Sequence, residues 1–300
     1  MPLTSSELQA IGRTLRLKKR FDQNFLVDAQ IIAKIVEAVE RFQAANPKLA
    51  LIEVGPGAGF LTQALLEIIP PQASALCAIE LERAMVAYLQ EQFAHHPKLT
   101  LQPGDVLSYD FSQITAERFQ IVGNLPYSVA TPLIFKLVGE LSQMAPPLGE
   151  RLLQMTVMVQ KEVGERMMAQ ASGKANGQKS LKACAPLSLA CQRAFEVTPL
   201  VKVPPRAFIP PPKVDSLVVT LRLKPKDQWQ YPKDAIRFSR LVKAGFQQRR
   251  KTLVNALAHG GGTTPQAVQH TLQLLDLPAD VRAEALSLSQ WIALSDAMSG

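Results

Sequence analysis

Apolar residues recur every three or four positions through 28–42 (Ile31, Ile32, Ile35, Val36, Val39), which predicts an amphipathic helix. Past it the pattern changes to short unbroken apolar runs, each followed by a helical stretch. Runs at 49–54, 75–79, 99–101, 119–122 and 153–159 predict strands buried on both faces. Segments 60–69, a stretch ending near 93, 131–141 and 161–171 predict helices between and after them. Such alternation predicts a parallel sheet covered by helices on both faces. Runs at 195–203 and 217–223 add two strands, and the proline-rich 204–212 between them cannot be regular sheet. Beyond 225 the periodicity is helical, over 235–258, 265–275 and 290–298, with Thr264-Pro265 as a cap and first-turn proline. The fold class is therefore α/β, Rossmann-like, with a mostly parallel seven-stranded sheet and a small all-helical C-terminal domain. The predicted boundaries are a basic arm at 1–27, the α/β domain at 28–224 and the helical domain at 225–300.

Composition leaves this picture standing: 47% hydrophobic and 19% charged residues suit a sizeable core and argue against disorder. Charge changes it. The chain is +8 overall, yet residues 51–150 hold four Lys/Arg against ten Asp/Glu, whereas 201–300 hold fourteen against seven. Residues 13–20 add five cations and no acid. A polyanionic partner would thus meet the flanks and not the acidic middle. Arg16, Lys18, Lys19 and Arg20 in the arm are candidate phosphate contacts. So are the cations of 237–251, which contain no acid and end in Arg249, Arg250 and Lys251.

Three scattered cysteines exclude a disulfide framework, and the four histidines lack metal-ligand spacing, so no metal is expected. No run of about 18 apolar residues exists to span a membrane, and the N-terminus lacks the apolar core of a signal peptide. A cytoplasmic protein is expected.

Candidate chemistry sits at successive strand ends. Glu53-Val54-Gly55-Pro56-Gly57-Ala58-Gly59 follows the first sheet strand and opens a helix, as a ligand-approaching glycine loop does. Glu80 ends the next strand, where a carboxylate accepts from both hydroxyls of a ribose. That much suits either a nicotinamide dinucleotide or S-adenosylmethionine. Asp105, just past the third strand, can accept from an adenine amino group, and an acidic site favours a cofactor carrying sulfonium and ammonium over one carrying pyrophosphate. Gly123-Asn124-Leu125-Pro126-Tyr127 follows the fourth strand, in the crevice where open α/β sheets bind ligands. An adenine amine is a poor nucleophile because its lone pair is delocalised into the ring. The Asn124 carbonyl and a backbone carbonyl exposed by Pro126 could accept its two N–H bonds and favour a pyramidal nitrogen. Tyr127 could stack on an extruded base.

Taken in order, these motifs resemble the ribosomal RNA adenine dimethyltransferase family. Lys18-Lys19-Arg20-Phe21-Asp22-Gln23-Asn24-Phe25-Leu26 is similar to its N-terminal motif, apart from Asp22 where Gly is usual. Phe208-Ile209-Pro210-Pro211-Pro212-Lys213-Val214-Asp215-Ser216 is similar to its late proline motif. Phe246-Gln247-Gln248-Arg249-Arg250-Lys251-Thr252-Leu253 is similar to its C-terminal signature. Cys184-Ala185 replaces a frequent Tyr-Gly, read here as a structural position beside a strand. The resemblance implies a methyltransferase in which Asn24, Leu26, Gly55, Glu80, Asp105 and Asn124 contact S-adenosylmethionine. It implies that Phe208 helps sandwich the target base, in a site formed with Asn124, Leu125, Pro126 and Tyr127. The implied substrate is two adjacent adenosines near the 3′ end of small-subunit (16S) rRNA in an immature 30S particle, met by a monomer away from membranes. The last two motifs favour this over the large-subunit, antibiotic-resistance branch. The other classes to weigh are a nicotinamide dehydrogenase and an RNA-binding assembly factor without catalysis.

Overall fold

A computed structural model of the chain describes residues 24–69, 76–94, 96–170, 184–248 and 250–298. Arg16, Lys18, Lys19, Arg20 and the side chain of Arg249 lie outside them. The chain divides into two compact units, and the described residues of the first fall within Met1–Leu133, Glu150–Gly164 and Thr198–Leu223.

The first unit opens with β1 (Phe25–Leu26) and α1 (Ala29–Ala44). The Asp28 carboxylate starts this helix by accepting from the N–H groups of Gln30 (2.9 Å) and Ile31 (3.2 Å), two donors that an uncapped helix leaves unpaired. Then β2 (Ala50–Val54), α2 (Phe60–Ile68), β3 (Leu76–Glu80), α3 (Arg83–Gln92), β4 (Leu99–Pro103) and β5 (Phe119–Asn124) alternate. Helix α4 (Tyr127–Val138) leads out of β5, and β6 (Leu152–Gln160) returns to the sheet, followed by α5 (Lys161–Met167). β7 (Phe195–Val203), β8 (Phe208–Ile209) and β9 (Ser216–Leu223) complete the strands among the described residues.

The sheet has seven strands in the order β4-β3-β2-β5-β6-β9-β7. The first five in that order are parallel, and β9 lies antiparallel to β6. Chain order runs outward in opposite directions from β2, through β3 and β4 on one side and β5 and β6 on the other. The crevice beyond the carboxyl ends of β2 and β5 is thus the place where such a sheet offers a binding site. These two strands approach closely: a Cβ at Gly123 would stand 2.5 Å from the Val54 carbonyl oxygen, so only glycine fits ahead of Asn124. One face is sealed by Ile31, Ile35, Val39, Leu61 and Leu65 against Leu51, Val122 and Val218, a continuous buried cluster.

The sequence treats 204–212 as excluded from sheet. The structure corrects this over two residues: Phe208 and Ile209 pair antiparallel with Leu26 and Phe25 in a separate two-stranded ribbon. Proline cannot donate to a ladder, and the ribbon stops at Pro210 for that reason. Helix α4 begins at Tyr127, four residues before the expected 131, because the Pro126 carbonyl already accepts from Val129 and Ala130.

The second unit gathers Ile134–Gly149, Glu165–Val197 and Lys224–Gly300. The described residues 134–149, 165–170 and 184–197, expected in the α/β domain, group here, and Arg193 shows why. It is fully buried, donates to the carbonyls of Gly139, Glu140, Leu141 and Gln143, and stacks on Tyr231 at 5.0 Å. Lys224 donates to the Gln192 carbonyl at 2.6 Å, a further tie of the same kind. Cys184 and Ala185 do not flank a strand. They lead into α6 (Pro186–Gln192), with the Ala185 N–H donating to Ser188 Oγ at 2.8 Å.

The expected helix 235–258 is broken. α7 spans Ala235–Gln247 and α8 spans Leu253–Gly260, with Gln248 leaving the helical region at φ −116°, ψ 60°. α9 (Pro265–Leu274) and α10 (Leu288–Ala297) follow, each with a side-chain cap, from Thr264 and Ser287. Phe238, Leu241, Leu257, Leu272 and Trp291 are buried, while Arg240, Lys243, Arg250 and Lys251 are exposed. Arg250 and Lys251 therefore stand in the turn between α7 and α8, not on a continuous basic helix. Among the described residues no helix is long and apolar enough to cross a membrane.

Candidate active site

The crevice at the ends of β2 and β5 is a cleft lined by Asn24 to Leu26, the glycine loop, Glu53, Glu80, Asp105 and Asn124 to Tyr127. Its cofactor side is built from adjacent parallel strands. The loop after β2 carries Gly55, Gly57 and Gly59 at φ +68°, +56° and +82°, conformations that side chains resist. Glu80, at the tip of β3, steadies that loop. Its Oε2 accepts from the Gly57 N–H (3.1 Å) and its Oε1 from the Glu82 N–H (2.9 Å). Burial pushes the Glu80 carboxyl above the usual carboxylate range, against the pull of those backbone donors. Asp105 is half-buried, and its Oδ1 accepts from the Leu107 N–H at 2.8 Å, fixing the carboxylate beside the cleft.

Phe25 is the residue that ties the N-terminal segment to the loop: a Cβ at Gly57 would come within 2.9 Å of its ring. Leu26 faces the cleft and the core together, being 4% exposed.

The chemical side is built from distant segments. The Asn124 Nδ2 donates to the Asn24 carbonyl at 2.9 Å. This contact orients the amide, since only nitrogen can donate there, and it leaves Oδ1 as the group offered elsewhere. The Leu125 side chain is buried at 1% exposure, so what Leu125 contributes is its backbone. Its carbonyl precedes Pro126, whose own carbonyl is taken by α4. Tyr127 hydrogen-bonds through its hydroxyl to Ser216 Oγ at 2.8 Å, and Ser216 is fully buried at the start of β9. The ring is thereby fixed in attitude.

Phe208 falls elsewhere. It is 3% exposed, packs in the core cluster with Leu26 and does not line the cleft, because its pairing in the ribbon turns the ring inward. The residues that sequence reasoning passed over are Ser216, Phe25 and Glu53. Only Glu53 carried a signal, as a lone carboxylate in an otherwise apolar strand. It is 1% exposed, its Oε2 has no hydrogen-bond partner among the described residues, and its carboxyl is pushed up to about 8. Burial is the main cause. The neighbouring Thr62 hydroxyl lowers it, and the charge of Glu80 raises it further.

These residues fit S-adenosylmethionine. Three carboxyls and no described Lys or Arg line the cleft, a donor set suited to a net cation and unsuited to a pyrophosphate. Gly55 is also a cradle: a Cβ there would project to 3.8 Å from the Asn124 backbone carbonyl oxygen and 3.9 Å from the Pro126 ring, between the two sides of the cleft.

Comparison with known proteins gives the family. A family model described as ribosomal RNA adenine dimethylase matches residues 14–298. A ribosomal RNA small subunit methyltransferase A of Thiobacillus denitrificans is 40% identical over 281 residues, covering 93% of this chain and 96% of its own. One from Pseudomonas syringae pv. tomato is 38% identical over 290 residues, covering 95% of each chain. Among solved structures, a dimethyladenosine transferase from Plasmodium falciparum aligns with TM-score 0.62 at 24% identity, over 89% of this chain and 94% of its own. The 23S rRNA methyltransferase ErmE aligns with TM-score 0.65 at 22% identity, over 92% and 100%. At those identities the two structures bear on the fold alone. Matched by the family model over nearly its whole length and by relatives near two-fifths identity, this chain belongs to the ribosomal RNA adenine dimethylase family.

Proposed function

We propose that this protein uses S-adenosylmethionine to dimethylate the 6-amino groups of two adjacent adenosines near the 3′ end of small-subunit (16S) rRNA. It does so in the cytoplasm, as a monomer acting on an immature 30S particle. The observation that carries the reading is the Asn124 amide. Its N–H is spent on Asn24, so its carbonyl is presented at the end of β5 beside a cleft that suits a cationic cofactor. The names carried by the relatives support the small subunit as the source of the substrate.

The bound cofactor supplies an electrophilic methyl group on a sulfonium. Glu80 and Asp105 would hold its ribose and adenine, and Asn24, Leu26 and Gly55 would shape the remaining walls. Asn124 Oδ1 and the Leu125 carbonyl accept the two N–H bonds of the target amine and draw its lone pair out of conjugation with the ring. Tyr127, fixed through Ser216, stacks on the extruded base. These residues supply fixed dipoles and position, the main sources of rate where no strong base is needed. The exposed Arg250 and Lys251, with Arg249 and the arm cations Arg16, Lys18, Lys19 and Arg20, meet phosphates.

The deciding experiment is mass spectrometry of small-subunit rRNA after incubation with the protein and labelled cofactor. Two labelled dimethyladenosines side by side are expected. Label in large-subunit rRNA would move the protein to the other branch, and RNA binding with no label would leave a non-catalytic assembly factor.

A further inference from the structure

Glu53 is not used by the chemistry above, yet it is the most isolated ionisable group in the cleft. It lies on β2 in register with Ala78 and Val122, so its immediate sheet neighbours are apolar. The groups facing it are the buried Thr62 hydroxyl from α2, whose hydrogen bond lowers the carboxyl, and the carboxyl of Glu80 from β3, whose charge raises it. Asp105 beyond β4 lines the same cleft, and no described cation does. A carboxylate in this position is 1% exposed and has no described counter-charge to stabilise it. The cheapest state without a bound cation is the neutral acid, and a cation entering the cleft reverses that preference.

We propose that Glu53 makes the cleft sensitive to ligand charge: it is protonated in the free protein and gives its proton to solvent when the cationic cofactor binds. It thereby sets S-adenosylmethionine apart from the thioether product, which lacks the sulfonium charge. The proposal rests on the reading of this cleft as the cofactor site. The step is an exchange of one proton with the buffer, and no bond to carbon or sulfur changes. Loss of the sulfonium charge on methyl transfer returns Glu53 to its neutral form, which weakens the hold on product. The raised acidity range of Glu53, to about 8, places this exchange at ordinary working pH. Since a proton leaves on binding, cofactor affinity rises with pH up to that range, by at most about tenfold per pH unit for one full proton. Product affinity changes less.

The test is calorimetric titration of the whole protein with S-adenosylmethionine and, separately, with S-adenosylhomocysteine. Each is run between pH 6 and 9 in buffers of different ionisation enthalpy. Proton release on cofactor binding, a smaller release on product binding, and a cofactor-to-product affinity ratio that climbs with pH are expected. Glu53→Gln should flatten the ratio and remove the release. Binding with no buffer dependence in the parent protein overturns the proposal while leaving the cofactor site intact. Absence of binding would instead overturn the site itself. Release undiminished in Glu53→Gln would assign the proton to Glu80 and also overturn it. Should that variant not fold, the parent titrations decide alone.

Discussion

Glu80 reaches the glycine loop across 23 residues, through two neighbouring parallel strands. On the other side of the same cleft, Asn124 reaches Asn24 across 100 residues and Tyr127 reaches Ser216 across 89. The Glu80–Gly57 contact of the cofactor side thus stays within one strand–loop–helix–strand run, whereas the substrate side joins three separate segments that meet only in the finished fold. A local construction tolerates change elsewhere. A distributed one depends on every segment that contributes, and a defect in any of them reaches the reacting amine.

The sharpest way to break this contrast is at the residue that joins the substrate side together. Asn124→Ala should lower the methyl-transfer rate by about a thousandfold, the loss seen when one fixed catalytic dipole is removed. RNA binding should stay within a few-fold. Activity within tenfold of the parent would end the role assigned to its carbonyl. Next comes Gly55→Ala, which tests the cofactor side. The added Cβ makes only ordinary contacts at 3.8 Å, so the fold survives, but it occupies the cradle at φ +68°. Cofactor affinity by calorimetry should fall about tenfold or more, with a stability loss of about 1–2 kcal/mol from the left-handed backbone. An unchanged affinity would show that the ligand avoids that wall.

Changing Arg250 and Lys251 together to Gln should weaken rRNA binding several-fold and reduce the slope of log affinity against log salt by about 2. Methylation of a saturating short RNA should be little altered. A slope equal to the parent's would remove these two side chains from the phosphate contacts. The smallest effect belongs to Tyr127→Phe. It removes one hydrogen bond to Ser216, worth about 1 kcal/mol, and keeps the ring. A two- to fivefold loss of turnover is expected. A loss as large as that of Asn124→Ala would give the hydroxyl a part beyond holding the ring.

The same difference in construction decided what could be read from sequence. Glu80 and Asp105 follow apolar runs long enough to mark strands, so their places at strand ends were visible, and β7 runs over the expected residues. The ribbon of Phe25–Leu26 with Phe208–Ile209 was not visible, because two residues cannot show an alternating period and one partner sits among prolines. Phe208, which the resemblance implies at the target base, therefore stands in the core cluster. The break after Gln247 was hidden because Gln248, Arg250 and Lys251 are all good helix formers. What interrupts them is the cap at Thr252 and the burial of Leu253 and Val254. Arg193 reads as one more surface cation, yet it is buried under four carbonyls contributed by a segment about 50 residues earlier.

The small ribbon has a consequence for how the protein comes into being. Phe25 and Ile209 are about 180 residues apart along the chain, so joining them closes the longest loop among the ladders described, at an entropic cost that only a formed sheet can offset. A nascent chain can pair β2 with β3 and β5 long before residue 209 has been synthesised. It cannot bring Phe25 and Leu26 to their final places against Ile209 and Phe208 until then. The wall that completes the cleft is therefore set last, and a chain stopped short of that point would hold a sheet but lack this wall of its site.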